Sequence, residues 1–142
     1  MGMDDISALI KALDGRQITE VRRLLETGVD ANAMDEEGQS PLMAAACAND
    51  LKALDLLLQY GADVRRAYAD GWTALHMAVD FSIDSTIQRG GAPGDEPLDA
   101  IFWLLAHGAD VSAKTERGET AVDFARAYCS GRVERVLLGS QR

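Results

Sequence analysis

Four polar side chains near the middle of the chain have the types and spacing of a hydrolytic site. His76 and Asp80 are four residues apart, and Ser82 and Asp84 follow closely, so one helix could hold a base, a carboxylate and a hydroxyl nucleophile together. Acyl transfer would also require an oxyanion hole and a substrate pocket, and the surrounding sequence indicates neither. We therefore expect that the chain is not an enzyme.

The remaining reactive or metal-binding side chains are isolated from one another. Cys47 and Cys129 have no second cysteine or histidine at metal-ligand spacing, and His76 and His107 belong to different predicted elements. The glycine-rich stretch at 90–94 lacks the Gly-Lys-Ser or Gly-Lys-Thr ending of a phosphate-binding loop and follows no predicted strand. The sequence thus predicts no cofactor, no metal, and two free thiols in a reducing compartment.

The composition restricts the classes of partner. At 142 residues the chain fits one domain, and its net charge of -9 disfavours nucleic acid, whose phosphates require a surface rich in lysine and arginine. The charge suits a basic protein partner, although solubility alone explains it equally well. No apolar run approaches the roughly 20 residues of a membrane helix, and the N-terminus lacks the pattern of a secretory signal. We expect a cytoplasmic protein with no membrane partner.

Two short phrases recur along the chain at matching intervals. Gly-Ala-Asp-Val at 61–64 returns at 108–111, and Gly-Val-Asp-Ala at 28–31 is a weaker earlier copy. A second phrase, a glycine followed two residues later by Ser or Thr, begins at Gly38, Gly71 and Gly118. Both series advance by 33 residues and then by 47, so one unit repeats and its third copy carries 14 extra residues. A period of this length predicts a solenoid of stacked units.

Each unit is predicted to form a turn followed by two helices. Ser40 and Pro41 suit the N-cap and the first position of a helix. The second helix of this unit then shows one apolar stripe, formed by Leu51, Leu54, Leu57 and Leu58. Gly61 is placed to end that helix. The four units cover about 4–30, 31–63, 64–110 and 111–138. Because the outer units must face water on one side, we expect them to act as caps.

The extra residues of the third unit, at about 83–96, are predicted to lengthen the turn between its two helices. Their polar, Gly- and Pro-containing composition indicates an exposed and partly flexible segment. Two interpretations stay open: a loop that reaches a partner, or a tolerated excursion, since doubling a loop costs only about 0.6 kcal/mol. Phe102 occupies the solvent-side position that Asp55 has in the second unit, so we expect the insertion to cover its ring.

These repeated motifs resemble those of the ankyrin repeat family, whose unit of about 33 residues contains Thr-Pro-Leu-His-x-Ala. Residues 73–78 match this motif with Ala for Pro, residues 40–45 match with Ser for Thr and Met for His, and residues 120–125 are a looser copy. The ending Leu-Leu-x-x-Gly-Ala-Asp-Val is present at 57–64 and again at 104–111. The resemblance covers nearly the whole chain in one consistent register.

The resemblance implies an all-α solenoid of four stacked helix-turn-helix repeats with short hairpin fingers. In this family antiparallel helix pairs form an L-shaped array, and the fingers and first helices line a concave groove. The resemblance also implies that His76 is structural and forms hydrogen bonds with the hairpin backbone. Most members of the family bind proteins and catalyse no reaction.

The family's variable positions lie at the finger tips and at the ends of the first helices. Carried over by register, the tips are Glu36, Glu37, Gln39, Ala69, Asp70, Trp72, Glu116, Arg117 and Glu119, and the helix ends are Cys47, Ala48, Asp80, Phe81, Ala127 and Tyr128. Trp72, Phe81 and Tyr128 would then share the concave face, with Trp72 as the first-choice anchor for a partner. We expect Trp72 to serve binding rather than stability; for Phe81 and Tyr128, packing between repeats is an equal alternative.

The sequence therefore predicts a non-catalytic protein–protein interaction module that binds a partner through its concave face. The acidic residues around the aromatic side chains suit a partner with an exposed basic surface, and the chain is expected to be a monomer. One alternative is a dedicated inhibitor or immunity-type protein that neutralises a basic enzyme or toxin. Another is self-association through Phe102 and the insertion.

Overall fold

The protein is described here by a computed structural model that covers residues 3–91 and 98–139. This part of the chain contains eight α-helices and no strand. The helices are α1 (Met3–Asp14), α2 (Ile18–Glu26), α3 (Pro41–Cys47), α4 (Leu51–Gln59), α5 (Ala74–Gln88), α6 (Asp99–Ala106), α7 (Ala121–Ala127) and α8 (Gly131–Gly139). Consecutive helices pack as four pairs, which confirms the predicted all-α solenoid.

The four pairs stack side by side in two rows. The inner row consists of α1, α3, α5 and α7, each packed against the next, and α2, α4 and α6 stack in the same way in the outer row. Every inner helix also packs against the outer helix of its own pair. The inner helices approach one another closely because small side chains such as Ala44 and Ala45, both fully buried, lie between them.

Local sequence chemistry sets the beginnings of the helices. The Ser40 hydroxyl accepts a hydrogen bond from the Met43 N–H at 3.2 Å, and Pro41 takes the first helical position, as the sequence predicts. Thr120 and Asp123 form a reciprocal capping box at the start of α7. These interactions satisfy backbone N–H groups that have no partner within the helix.

The start of α6 is capped from the neighbouring repeat. Leu98 precedes this helix and offers no side-chain cap. Instead, the Asn49 side chain accepts a hydrogen bond from the Ala100 N–H at 2.8 Å and donates one to the Asp99 carboxylate at 3.2 Å. Asn49 lies in the turn between α3 and α4, so the second repeat completes a helix terminus of the third.

Three fingers connect the helix pairs, at residues 30–39, 63–72 and 110–119. Each finger is closed by one backbone hydrogen bond at an equivalent position, such as that from the Tyr68 N–H to the Trp72 carbonyl at 2.8 Å. The second and third fingers are also joined, because the Glu116 N–H donates to the Asp70 carbonyl at 2.9 Å. Gly71 takes a φ of 77° beside this contact, in the left-handed region that favours glycine.

The insertion does not simply lengthen a turn, as the sequence led us to expect. Helix α5 continues to Gln88, about two turns beyond the length of α3, and Ile83 is fully buried. The chain from 81 to 88 contains neither Gly nor Pro, so the helix ends only at Gly90, whose φ is 89°. The remainder of the predicted insertion, at 92–97, lies outside the described residues. Phe102 is 53% exposed, so the expected cover over its ring is wrong.

Candidate binding surface

A groove of about 560 Å³ crosses the inner row of helices between the first finger and α5. We call it the α5 groove; its lining consists of Asp14, Glu37, Gly38, Gln39, Cys47, Ala48, Met77 and Phe81. Several of these are sequence-predicted partner-binding residues: Glu37 and Gln39 at the finger tip, and Phe81 at the position equivalent to the end of α3. Phe81 is 42% exposed, so its ring faces the groove rather than the core.

A second depression, of about 340 Å³, lies between the second and third fingers. We call it the finger recess; it is lined by Asp70, Trp72, Thr115, Glu116, Arg117 and Glu119. All of these except Thr115 are predicted partner-binding residues. The predicted set is thus divided between two depressions, with Phe81 in one and Trp72 in the other. Glu36 lines a smaller hollow beside the α5 groove, and Ala69 belongs to a short 3-10 turn at the finger tip.

Trp72 is less free than the sequence led us to expect. Its ring lies 4.9 Å from that of Phe124 and 6.2 Å from that of His76, measured between centroids. The side chain is half-buried and packs against the hydrophobic core. Trp72 therefore contributes to packing between the third and fourth repeats, which corrects the expectation that it serves binding alone.

A hydrogen bond between Tyr128 and Asp80 joins the end of α7 to the middle of α5. The Tyr128 hydroxyl donates a hydrogen bond to the Asp80 carboxylate at 3.0 Å, and the half-buried ring packs against the core. Burial, together with the negative charges of Asp80 and Asp84, raises the pKa of Tyr128 to about 12. Burial also raises the pKa of Asp80, and the nearby Asp84 adds to this shift. Of the two alternatives for Tyr128, the contacts favour packing between repeats.

His76 has the environment of a structural histidine. It is 1% exposed, and its Nδ1 accepts a hydrogen bond from the Thr73 N–H at 3.1 Å. Because that N–H can only donate, the ring proton is assigned to Nε2, which lies 3.1 Å from the Glu119 carbonyl. Burial lowers the pKa of His76 and keeps the ring neutral. Asp80 is engaged by Tyr128 and not by His76, so no triad is assembled.

The α5 groove is flanked by carboxylates whose charges reinforce one another. Burial raises the pKa of the Cys47 thiol to about 12, and Asp14 and Asp80 contribute from either side. Burial and Asp35 likewise raise the pKa of Asp14. The thiol of Cys47 is therefore protonated and unreactive near neutral pH, and the groove carries a concentrated negative potential.

Three basic residues lie near this groove. Arg89 lines a neighbouring hollow together with Cys47 and Phe81. The Arg16 guanidinium donates a hydrogen bond to the Ala48 carbonyl, and Lys11 lines the smaller hollow beside Asp14. Within residues 3–91 and 98–139, the recorded ion pairs are Arg23 with Glu20 and Arg126 with Glu134, which do not line the groove. The carboxylates of the groove thus have no salt-bridge partner in the described structure.

Three residues of the groove, Gly38, Asp14 and Met77, were missed by reasoning from the sequence. Asp14 lies 33 residues before Cys47, at the end of α1, so the repeat interval would have identified it as a helix-end position. Met77 lies within α5, one turn before Phe81, and only the extension of the groove along that helix brings it to the surface. The sequence gives little indication that Met77 is accessible, because the residues on either side of it, His76 and Ala78, are buried.

The described residues contain no group of three His, Cys, Asp or Glu side chains that could hold a metal ion. None of their helices has both the length and the apolar character needed to cross a bilayer. Cys47 and Cys129 are free thiols.

Comparison with known proteins identifies the repeats. A family model described as ankyrin repeats, in three copies, matches residues 9–88, and a second model, described as ankyrin repeat, matches residues 70–116. The first match alone covers more than half of the chain. It spans the first two fingers and the helix pairs around them.

Several curated relatives are similar over most of the chain. "Ankyrin repeat and SOCS box protein 16" from Homo sapiens is 36% identical over 126 residues, which is 88% of this chain and 25% of that protein. "SH3 and multiple ankyrin repeat domains protein 2" from Homo sapiens is 29% identical over 136 residues, or 95% of this chain and 7% of that protein. "2-5A-dependent ribonuclease" from Mus musculus is 39% identical over 77 residues, or 54% of this chain and 10% of that protein.

The chain thus spans a quarter or less of the length of these relatives. The similarity concerns their repeats, and ankyrin repeats are generally modules for protein–protein interaction rather than catalysts. Together with the stacked helix pairs and fingers, the matches lead to one conclusion: the chain belongs to the ankyrin repeat family.

Proposed function

We propose that this chain binds a partner protein with an exposed basic surface through its finger tips and inner helices, and catalyses no reaction. The observation that carries this proposal is the α5 groove, which combines the exposed ring of Phe81 with the carboxylates of Asp14 and Glu37. Aromatic side chains beside acidic ones suit a partner whose lysines or arginines are flanked by apolar residues.

The finger recess extends the same surface along the stack. Asp70, Glu116 and Glu119 supply further carboxylates there, and Trp72 offers the accessible part of its ring. Arg117 adds one positive charge, which favours a partner with a matching acid at that point. A stable protein interface requires about 800 Å² from each partner, and a surface that includes both depressions can supply that area.

The partner could be one protein or several. A dedicated inhibitor of a basic enzyme or toxin would use the same acidic surface, and it would bind a single target tightly. A general interaction module would bind several partners more weakly. The number of captured proteins and the affinity for each distinguish these two roles.

The test is affinity capture from the source lysate with a matched pair of charge reversals. The surface variant carries Glu36→Lys and Glu37→Lys at the first finger tip, and the control carries Glu26→Lys at the end of α2, in the outer row. All three glutamates are exposed, so both variants should fold. We expect the surface variant to lose its partners and the control to retain them. Partners that bind both variants equally would contradict the proposal.

We also propose that the protein acts as a monomer in the cytoplasm. The free thiols of Cys47 and Cys129 agree with a reducing compartment. Size-exclusion chromatography with light scattering tests the oligomeric state, because self-association through Phe102 would give a mass that rises with concentration. A constant mass near 15.3 kDa is the expected result.

A further inference from the structure

We propose that the α5 groove recognises an arginine side chain that the partner presents next to an apolar residue. This inference rests on the proposed function and specifies the chemistry of one part of its surface. It concerns a single groove, whereas the proposed function involves the finger recess as well. An experiment can therefore contradict this inference without contradicting the proposed function, and the reverse is also true.

The apolar part of the groove is formed by Met77 and Phe81 on α5 and by Ala48. Phe81 is 42% exposed, although it lies between the buried residues Val79 and Ile83 on the same helix. A planar guanidinium stacks well on an aromatic face because the ring quadrupole attracts the cation and the two planes match. The aliphatic part of an arginine, or a neighbouring leucine, would contact Met77.

The continuation of α5 orders the backbone that carries Phe81. At the equivalent position of the second repeat, the helix has already ended and Ala48 follows it. In the third repeat the helix runs on to Gln88, with Ile83 fully buried beneath it. The ring of Phe81 thus stands on a continuous helix rather than on a turn, so little conformational entropy is lost when a ligand stacks on it.

The charged part of the groove is formed by Asp14 and Glu37. Asp80 lies close enough that it and Asp14 both raise the pKa of Cys47. A bound guanidinium would place its positive charge beside the carboxylates of Asp14 and Glu37, which line the groove. Arginine fits better than lysine because its five donors can engage two carboxylates while the plane rests on an aromatic ring.

The nearby basic residues do not take this role. Arg89 lines a neighbouring hollow with Phe81 and forms no recorded ion pair with Asp14 or Glu37 in the described part of the chain. Arg16 is directed to the Ala48 carbonyl, and Lys11 lines the adjoining hollow rather than the groove. Neither forms a recorded ion pair with Asp14 or Glu37 in the described part of the chain. The groove therefore keeps a net negative charge that complements a cationic ligand.

The test is a titration of the ¹⁵N-labelled protein, followed by NMR, with the peptide acetyl-Leu-Arg-Leu-amide. Its control is the same peptide with citrulline in place of arginine, which preserves the shape and removes the charge. We expect saturable shifts of amides around the groove, including Gly38, Ala48 and Phe81, and an affinity at least about tenfold weaker for the citrulline peptide.

Two test variants and two control variants show whether the peptide binds in the α5 groove. Phe81→Ala and Asp14→Asn should each lower the affinity for the arginine peptide at least about fivefold. Phe102→Ala removes another exposed ring, in the outer row, and Glu26→Gln removes another exposed carboxylate; both should change the affinity less than twofold. All four positions are exposed, and circular dichroism checks that each variant is folded.

Equal binding of the citrulline peptide would overturn the inference, as would shifts confined to the finger recess or affinities unchanged by Phe81→Ala and Asp14→Asn. Such a result would leave the proposed function intact if the Glu36→Lys, Glu37→Lys variant still lost its protein partners. Conversely, arginine binding without any captured protein partner would support the groove chemistry and contradict the proposed function.

Discussion

The Nε2 atom of His76 lies 3.1 Å from the carbonyl oxygen of Glu119 and so joins the third inner helix to the third finger. The other ring nitrogen, Nδ1, accepts from the Thr73 N–H at 3.1 Å. A second proton on the ring would have to sit on Nδ1, where it would oppose this donor. The hydrogen-bond network therefore requires the neutral imidazole, and His76 makes the protein's stability depend on pH.

We expect the stability of the fold to decrease as the pH falls below the ordinary pKa of histidine, about 6.5. Burial lowers the pKa of His76 in the folded protein, so the unfolded chain binds the proton first and the free energy of unfolding decreases. The check is thermal unfolding of the wild type and of His76→Gln between about pH 7.5 and pH 5.5.

Only the difference between the two proteins reports on His76. Asp14 and Asp80 have raised pKa values, so their protonation favours the folded state as the pH falls, but this effect is present in both proteins. The wild type should lose more stability than His76→Gln over the same interval. Parallel pH profiles would show that the imidazole is not held neutral.

Gly71 and Gly118 provide a matched test of the contact between fingers. They occupy the same position in successive fingers, with φ angles of 77° and 79°. A Cβ at Gly71 would lie 2.9 Å from the Glu116 backbone nitrogen, whereas a Cβ at Gly118 would have no neighbour within 4 Å. Alanine at either site costs about 1 kcal/mol for the left-handed backbone. Gly71→Ala should cost about 1–3 kcal/mol more, from the clash.

Urea unfolding at equilibrium measures both glycine variants. The comparison removes the backbone contribution because that contribution is common to the two positions. If Gly118→Ala were as destabilising as Gly71→Ala, the fingers would not be in the close contact described above.

Asn49 should stabilise the third repeat although it belongs to the second. Its φ is 53°, and its side chain caps α6 through the Ala100 N–H. Asn49→Gly retains a residue suited to that backbone angle and removes only the cap, so we expect a loss of about 1 kcal/mol. Hydrogen exchange followed by NMR should show faster exchange of the Ala100 amide. Unchanged exchange at that amide would mean that the cap is not formed in solution.

Trp72 should contribute to stability as well as to binding. Its ring packs at 4.9 Å from Phe124, so Trp72→Ala should lower the free energy of unfolding by about 2–3 kcal/mol, less than for a fully buried aromatic residue. Phe81→Ala, at an exposed ring, should change it by about 0.5 kcal/mol or less. Chemical denaturation of the two variants tests this order. Equal losses would contradict the different environments of the two rings.

Much of this fold could be predicted because the same motifs occur in several repeats, and each copy supports the same interpretation. Ser40 and Pro41 begin α3 as expected, since N-cap chemistry is local. The two glycine series, which advance by the same intervals, mark turns, and the intervals themselves predict stacking. The helix pairs and the fingers required no information about distant contacts.

The extension of α5 could not be predicted from composition. Polar residues between Phe81 and Gln88 suggested a turn, yet they belong to a helix that buries Ile83. The absence of Gly and Pro before Gly90 was the available signal. The length of a helix in a surface insertion depends on whether one of its faces finds a packing partner, and the repeat interval carries no information about that.

The candidate surface was only partly predictable for a similar reason. Register identified Phe81 and the finger tips, and it would also have identified Asp14. It could not indicate that Trp72 turns toward Phe124, because that direction depends on the space between two adjacent repeats. Register also could not predict that these positions form two separate depressions. The α5 groove and the finger recess are both lined by finger-tip positions that are equivalent in different repeats.

The cap that Asn49 provides for α6 has a mechanical consequence. The hydrogen bond to the Ala100 N–H crosses from the second helix pair to the third, at the start of α6. A pulling force applied to the two chain ends would therefore load this bond together with the packing between the second and third pairs. We expect the second and third pairs to rupture in a single step in an optical trap, with the outermost pairs peeling away separately.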